Sequence, residues 1–401
     1  MRKKGIYTMA ALLVLAVCLT GCTGSAEMPE ETTKRIVLTA ADELEAGNTP
    51  TASAANTEPQ HFVETVNENF HIDAMVTGCP VDGLAGVYTG EPLCFTQNNI
   101  DSFLKVCKDE VLSSTEKKID GKTRYDAQCK SGNRVLYLSS SQYHPLSVFQ
   151  YINKEKYKMY HDYPIYNSEE SFLTNRMYTV GWMFEQPKNF EFATEREAEQ
   201  HVRAALTALG IPNLILLRTL YVDYENMEKA GKLLATDENY APLGDRRENN
   251  GYPIRDDWSE ADNAYMFSFE LSIDGVPISY RHDTQDTATY CGTQVIVWYT
   301  HEGIAFLSVE TPWTVGKLEI SPSEVIPASE ALTIAKEKFE QNLVYQDKRI
   351  EALRMEYQYF QNRKSWMLRP VWQVRLSYKI KDCDIPYFEY MTIDAHTGKE
   401  L

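Results

Sequence analysis

Catalytic signatures, positive charge and long apolar runs are all scarce in this sequence, and each shortage removes a class of function. Neither the His-Glu-x-x-His of a metalloprotease nor the Gly-x-Ser-x-Gly of a serine hydrolase occurs in the 401 residues. Ser102-Phe103-Leu104-Lys105 and Ser114-Thr115-Glu116-Lys117 fit Ser-x-x-Lys, but the Ser-Asp-Asn and Lys-Thr-Gly companions of a β-lactamase-like site are missing, so both read as chance. Cys-x-x-Cys is absent, which removes the usual zinc and thioredoxin-like signatures. The eight histidines are scattered without ligand spacing. No catalytic residue, metal or cofactor is therefore expected. With 40 basic against 57 acidic residues the net charge is -17, and nucleic acid is an unsuitable partner because phosphate binding needs concentrated positive charge.

The one sustained apolar stretch lies at the N-terminus. Arg2-Lys3-Lys4 precede an apolar run from about Met9 to Val17, which ends at Leu19-Thr20-Gly21-Cys22. The run is shorter than the roughly 20 residues a membrane-spanning helix needs, so 1–21 reads as a signal peptide. Leu-Thr-Gly-Cys resembles the lipobox of bacterial lipoproteins, which implies cleavage before Cys22 and lipidation of its thiol. The expected location is extracytoplasmic, lipid-anchored to the cell membrane. Loss of the three leader cations takes the charge to about -20.

Beyond Cys18 and Cys22, six cysteines remain: Cys79, Cys94, Cys107, Cys129, Cys291 and Cys383. In an oxidising exterior they could form disulfides, most simply among the first four and between the last two. Buried free thiols are the alternative, since a chain of this size does not need staples.

Residues 22–60, rich in Glu, Thr, Ala and Ser, read as a flexible spacer. Ordered structure is expected from His61. Phe70–Val76 alternates as a strand, Thr96 caps a helix whose apolar face is Ile100, Phe103, Leu104 and Cys107, and 123–139 forms a hairpin about Lys130-Ser131-Gly132-Asn133. Val148–Tyr160 reads as one further strand. The fold class expected is α+β: an N-terminal α+β domain at 61–190, then two repeated units at 191–322 and 323–401, each a helix packed on an antiparallel sheet. The first unit opens on the capping box Thr194/Glu197 and continues in strands at 214–223, 265–273, 293–299 and 304–309. The second opens at Ile326-Pro327-Ala328 with a helix through about Phe339 and continues in strands at 349–359, 371–380 and 387–393.

Three features suggest a family. Ile326-Pro327-Ala328-Ser329-Glu330-Ala331, Leu368-Arg369-Pro370-Val371-Trp372 and Ile393-Asp394-Ala395-His396-Thr397-Gly398 resemble the helix start, Pro-Trp strand and closing hairpin of PepSY-type domains. The stretch Phe70–Leu104 with the lipobox looks like a lipoprotein family of unknown function. Paired PepSY-like copies on an anchored chain are also similar to extracytoplasmic regulators of a cell-wall histidine kinase. The resemblance implies modules that inhibit proteases or hold partner proteins and have no catalytic residues of their own. Read as chemistry, Asp394, Thr397 and Gly398 make a turn: the carboxylate can accept backbone amides, and glycine takes positive φ cheaply.

Residues 225–262 read as a charged insertion in the first unit. Asp256, Asp257 and Asp262 could hold calcium or simply be solvated. Tyr151, Tyr157, Tyr160, Tyr163 and Tyr166 could stack on sugars or cover a sheet, and His201 reads as a solvated partner of Glu197. The expected function is a non-catalytic, membrane-anchored module that binds an envelope protein such as a protease or sensor kinase. A binder of cell-wall polymer or a small ligand is the alternative, followed by an unrecognised hydrolase.

Overall fold

The computed structural model describes residues 61–401 except 81, 94, 120–121, 142–147, 162, 164, 166–179, 212, 238–251, 253, 280–288, 291, 311–312, 342–345, 363–364 and 380–386. The expectations for 1–60, including Cys22, and those for Cys94, Tyr166, Cys291 and Cys383 lie outside the described residues.

In chain order the first strands are β1 (His61–Asn67), β2 (Phe70–Thr77), β3 (Leu84–Pro92), β4 (Val111–Ile119), β5 (Lys122–Cys129), β6 (Arg134–Ser141) and β7 (Val148–Asn153). They are followed by β8 (Leu214–Val222), β9 (Ala264–Ile273), β10 (Val276–Pro277), β11 (Thr289–Tyr290), β12 (Gln294–Thr300) and β13 (Gly303–Glu310). The last are β14 (Trp313–Glu324), β15 (Gln346–Asn362), β16 (Ser365–Lys379) and β17 (Tyr387–Asp394). The α-helices are α1 (Gln97–Val106), α2 (Lys154–His161), α3 (Glu195–Ala208), α4 (Tyr224–Thr236) and α5 (Ala328–Glu340).

Two large sheets organise these strands. One has eight strands in the order β1-β2-β15-β16-β3-β14, with β11 beside β15 and β17 beside β16. The other has nine, β10-β9-β12-β13-β7-β6-β5-β4, with β8 beside β9. The architecture is thus β-rich, and the expected α+β arrangement, in which each unit carries a helix on its own sheet, does not occur. The physical reason lies in pairing. Alternation reports which residues face a core, but not which strand lies alongside. β2 pairs in parallel with β15 near the far end of the chain, and β3 is held between β16 and β14. β7 joins β6 to β13, so residues expected in separate domains complete common sheets.

Local chemistry explains several elements. Thr96 caps α1 through a reciprocal box in which its hydroxyl accepts from the Asn99 amide and Asn99 accepts from the Thr96 amide. Thr194 and Glu197 do the same for α3, and Gly210, at φ 93°, ends it. The expected strand at 148–160 divides at Asn153, whose side chain accepts from the Glu155 and Lys156 amides and starts α2. The insertion begins not as a loop but as α4, which is capped by Asp223 and buries Met227, Ala230 and Leu234.

The main core lies between the sheets. It joins Ile72, Phe267, Phe269 and Leu353 to the apolar faces of α1, α3 and α5. A second cluster covers the other face of the nine-stranded sheet, with Leu220, Met266, Trp298 and Phe306 under α4 and α2. β9 is accordingly buried on both faces, Ser268 and Glu270 included, as a central strand covered twice is.

The closing motif forms the expected turn. One Asp394 oxygen accepts from the His396 amide, the Thr397 amide and the Thr397 hydroxyl, and Gly398 sits at φ 67°. His396 reaches the Ala85 carbonyl at 2.9 Å, so the turn docks on β3.

Candidate functional site

Two adjoining cavities open where α1 ends. The larger, about 770 Å³, lies among Lys105, Lys108, Glu110, Val111 and Lys130. The smaller, about 240 Å³, is lined by Arg134, His201, Tyr299, His301 and Glu302, and Lys108 borders both. Helix termination creates this corner. After Cys107 the chain turns through Lys108 at φ 54°, a left-handed conformation that disfavours side chains, and the Asp109 amide then donates to the Leu104 carbonyl. The 130–133 hairpin turn closes one wall, and the turn joining β12 to β13 closes another.

Asp109 is the internal support of the site. Its carboxylate accepts from the Ser131 amide and hydroxyl, the Glu110 amide and the buried Tyr151 hydroxyl. Burial pushes its pKa up, but these hydrogen bonds together outweigh burial and hold it below the ordinary carboxylate value. Asp109→Ala is expected to cost about 2–3 kcal/mol at neutral pH, because Tyr151 and two amides lose a charged acceptor. A depressed folded pKa stabilises fully above the unfolded value of about 3.9 and ceases to do so as pH falls through the folded value. Urea midpoints of the wild type and the variant should therefore converge on acidification. A gap unchanged at about pH 2 would contradict the assignment.

Arg134 donates from Nη2 to the Glu302 carbonyl at 2.9 Å and lies 3.8 Å from the Glu302 carboxylate, which also accepts from Asn153. His201 is not a solvated partner of Glu197. Its Nδ1 lies 3.1 Å from the Tyr299 hydroxyl and its Nε2 3.4 Å from the Val106 carbonyl, while Glu197 serves the α3 cap.

The other candidates are dispersed. Cys79, Cys107 and Cys129 are free thiols. Burial pushes the Cys107 and Cys129 thiols up to about 12, which leaves them protonated and poor nucleophiles at neutral pH. Asp257 pairs with Arg255, and Asp262 pairs with Lys156 and accepts from Ser259. Among the described residues no group of three or more His, Cys, Asp or Glu is placed to hold a metal. Tyr151, Tyr160 and Tyr163 are buried, and Tyr157 stacks on Trp298, so these four cover the nine-stranded sheet and line neither cavity.

A separate surface feature is the edge strand β14. Val315, Leu318 and Ile320 are 39%, 49% and 55% exposed, whereas Trp313 at its start is buried against Tyr359. Irregular register against β3, together with Lys317 and Pro322, disfavours simple addition of another strand at this edge. Three large aliphatic side chains are nevertheless exposed along this one strand. Sequence alternation missed both β14 and the cavities: Gly316 and Pro322 interrupt the strand, and the cavity walls come from four distant segments.

No protein-family model matches the chain, and no curated protein matches it. Among solved structures it is similar to the crystal structure of an uncharacterized protein from Eubacterium rectale ATCC 33656, with a TM-score of 0.57 and 15% identity. The match covers 86% of this chain and 93% of that one, and at this identity the likeness is one of fold. No helix among the described residues is long and apolar enough to cross a membrane.

Proposed function

We propose that the chain is a lipid-anchored extracytoplasmic lipoprotein that acts without catalysis by holding an envelope protein, such as a protease or a sensor kinase. The lipobox ending in Cys22 supports the anchor. The observation that carries the binding role is the β14 edge, where three large aliphatic residues on one strand remain in solvent. Isolated exposed aliphatics are ordinary, but an apolar group of this kind rimmed by Lys317 and Glu319 is a docking surface for protein. Its irregular edge favours side-chain contact over backbone pairing.

The test is a double substitution, Leu318→Asp with Ile320→Asp. Both side chains are exposed, so folding should change little. Recovery of the cross-linked envelope partner should fall by about tenfold or more, equivalent to at least ~1.4 kcal/mol of binding. Unchanged recovery, or capture of muropeptides with no protein partner, would reject this reading.

A further inference from the structure

We propose that Cys107 and Cys129 form a redox-sensitive pair, which a small organic disulfide oxidises to a crosslink between the end of α1 and β5. This goes beyond the docking role of β14 and involves none of its residues.

Register and ring packing bring the two thiols to one seam. Ala127 of β5, Leu136 of β6 and Tyr151 of β7 lie opposite one another and are all buried in the main core, so they share the face on which α1 packs. Cys129 is two residues beyond Ala127 and lies on that same face, fully buried. Phe103 of α1 meets the Tyr151 ring edge-on with centroids 5.3 Å apart, and Cys107 follows Phe103 by four residues, one turn along the same helix face. The chain then doubles back beside β5. The Lys130 amide donates to the Glu110 carbonyl at 2.8 Å, the Ser131 hydroxyl donates to Asp109 at 2.8 Å, and Val111 pairs with Cys129. Arg134 spans the seam: its guanidinium lies over the Tyr151 ring, and it lines the smaller cavity with Cys107. A charge on Cys129 also acts on Cys107.

The two thiols differ in access. Cys107 is half-buried and lines the smaller cavity, whereas Cys129 is fully buried. Cys107 is therefore the attacking sulfur and Cys129 the resolving one. The Cys107 thiolate attacks one sulfur of the organic disulfide and expels the first thiolate; the Cys129 thiolate then attacks the Cys107 sulfur of the mixed disulfide and expels the second. The protein loses two electrons and two protons, and the organic disulfide gains them as two thiols. Burial keeps both protein thiols protonated at neutral pH, so exchange is slow there and speeds up as the solution becomes alkaline. The pair thus responds to sustained oxidising conditions, and brief exposure leaves it reduced. The crosslink closes the loop from 107 to 129 and pins the helix end that walls both cavities.

The experiment incubates the folded full chain in detergent micelles with hydroxyethyl disulfide at mildly alkaline pH, unfolds it, blocks the remaining thiols with N-ethylmaleimide and maps tryptic peptides without reduction. Residues 106–108 and 125–130 should be recovered as one linked peptide, two hydrogens lighter than the sum of its parts, while the exposed Cys79 carries the mixed disulfide. Cys129→Ala should stop the reaction at a mixed disulfide on Cys107, and Cys107→Ser should leave Cys129 to N-ethylmaleimide. The urea midpoint of the wild type should be higher after oxidation than after reduction, and that of Cys129→Ala should not rise. Recovery of Cys107 and Cys129 both blocked by N-ethylmaleimide in the oxidised wild type, linkage of either to a different cysteine, or an equal rise in Cys129→Ala would overturn the proposal.

Discussion

Arg354→Met is expected to destabilise the folded chain by about 3–5 kcal/mol, seen as a lower urea midpoint. Arg354 lies on β15, only 13% exposed, and forms an ion pair with Glu270 of β9, which is 1% exposed. Its Nε is also 3.8 Å from the carboxylate of Glu356, which is fully buried. One guanidinium therefore stands beside two buried carboxylates, one from each large sheet. Glu356 accepts from Gln358, which also donates to Gln373 at 2.5 Å, and Thr392 of β17 donates to the same Gln373 oxygen. A methionine of similar length keeps the packing but removes the cation from this seam. Replacing all three charges with apolar residues of similar size should restore most of the loss, since desolvation and attraction nearly cancel for a complete buried set. A cost below about 1 kcal/mol for Arg354→Met would show that the seam does not join the sheets.

Trp372→Ala should be comparably severe, about 3–5 kcal/mol. Trp372 is buried in β16 between Met355 of β15 and Ile393 of β17, and its indole donates to the Ile326 carbonyl at 3.0 Å. That carbonyl immediately precedes α5, while the Ile326 amide donates to Ala395 in the closing turn. The indole thus fills the core and fixes the entry of a helix at once. Trp372→Phe separates these roles: it keeps most of the apolar volume, loses the N–H donor and should cost about 1–3 kcal/mol. Equal midpoints for the Phe and Ala variants would remove packing as the larger contribution.

These residues also show what local sequence can and cannot reveal. The Thr194/Glu197 box, the 130–133 turn and the Asp394–Gly398 turn were legible because their partners lie within a few residues. Strand positions from Leu214 onward were largely legible from alternation. The α4 helix was obscured by Glu225, Glu228, Lys229 and Lys232, although Met227, Ala230 and Leu234 keep helical spacing beneath them. The class was misread because a strand records its buried face and leaves its neighbour unspecified: nothing near Phe70 announces that β2 will lie parallel to β15. The cavity was invisible for a similar reason. Lys108, Arg134, His201 and Tyr299 meet only after distant turns and a helix face converge.

The central claim, that an anchored chain presents β14 to an envelope protein, is tested most directly by photo-crosslinking in living cells. A photo-reactive side chain would be placed at position 318, with position 112 on β4 of the other sheet as the control, in cells carrying either Cys22 or Cys22→Ser. The account predicts one discrete protein adduct from position 318, none of that size from position 112, and its loss in Cys22→Ser. The same adduct from both positions, or an adduct from position 318 that persists undiminished in Cys22→Ser, would contradict it.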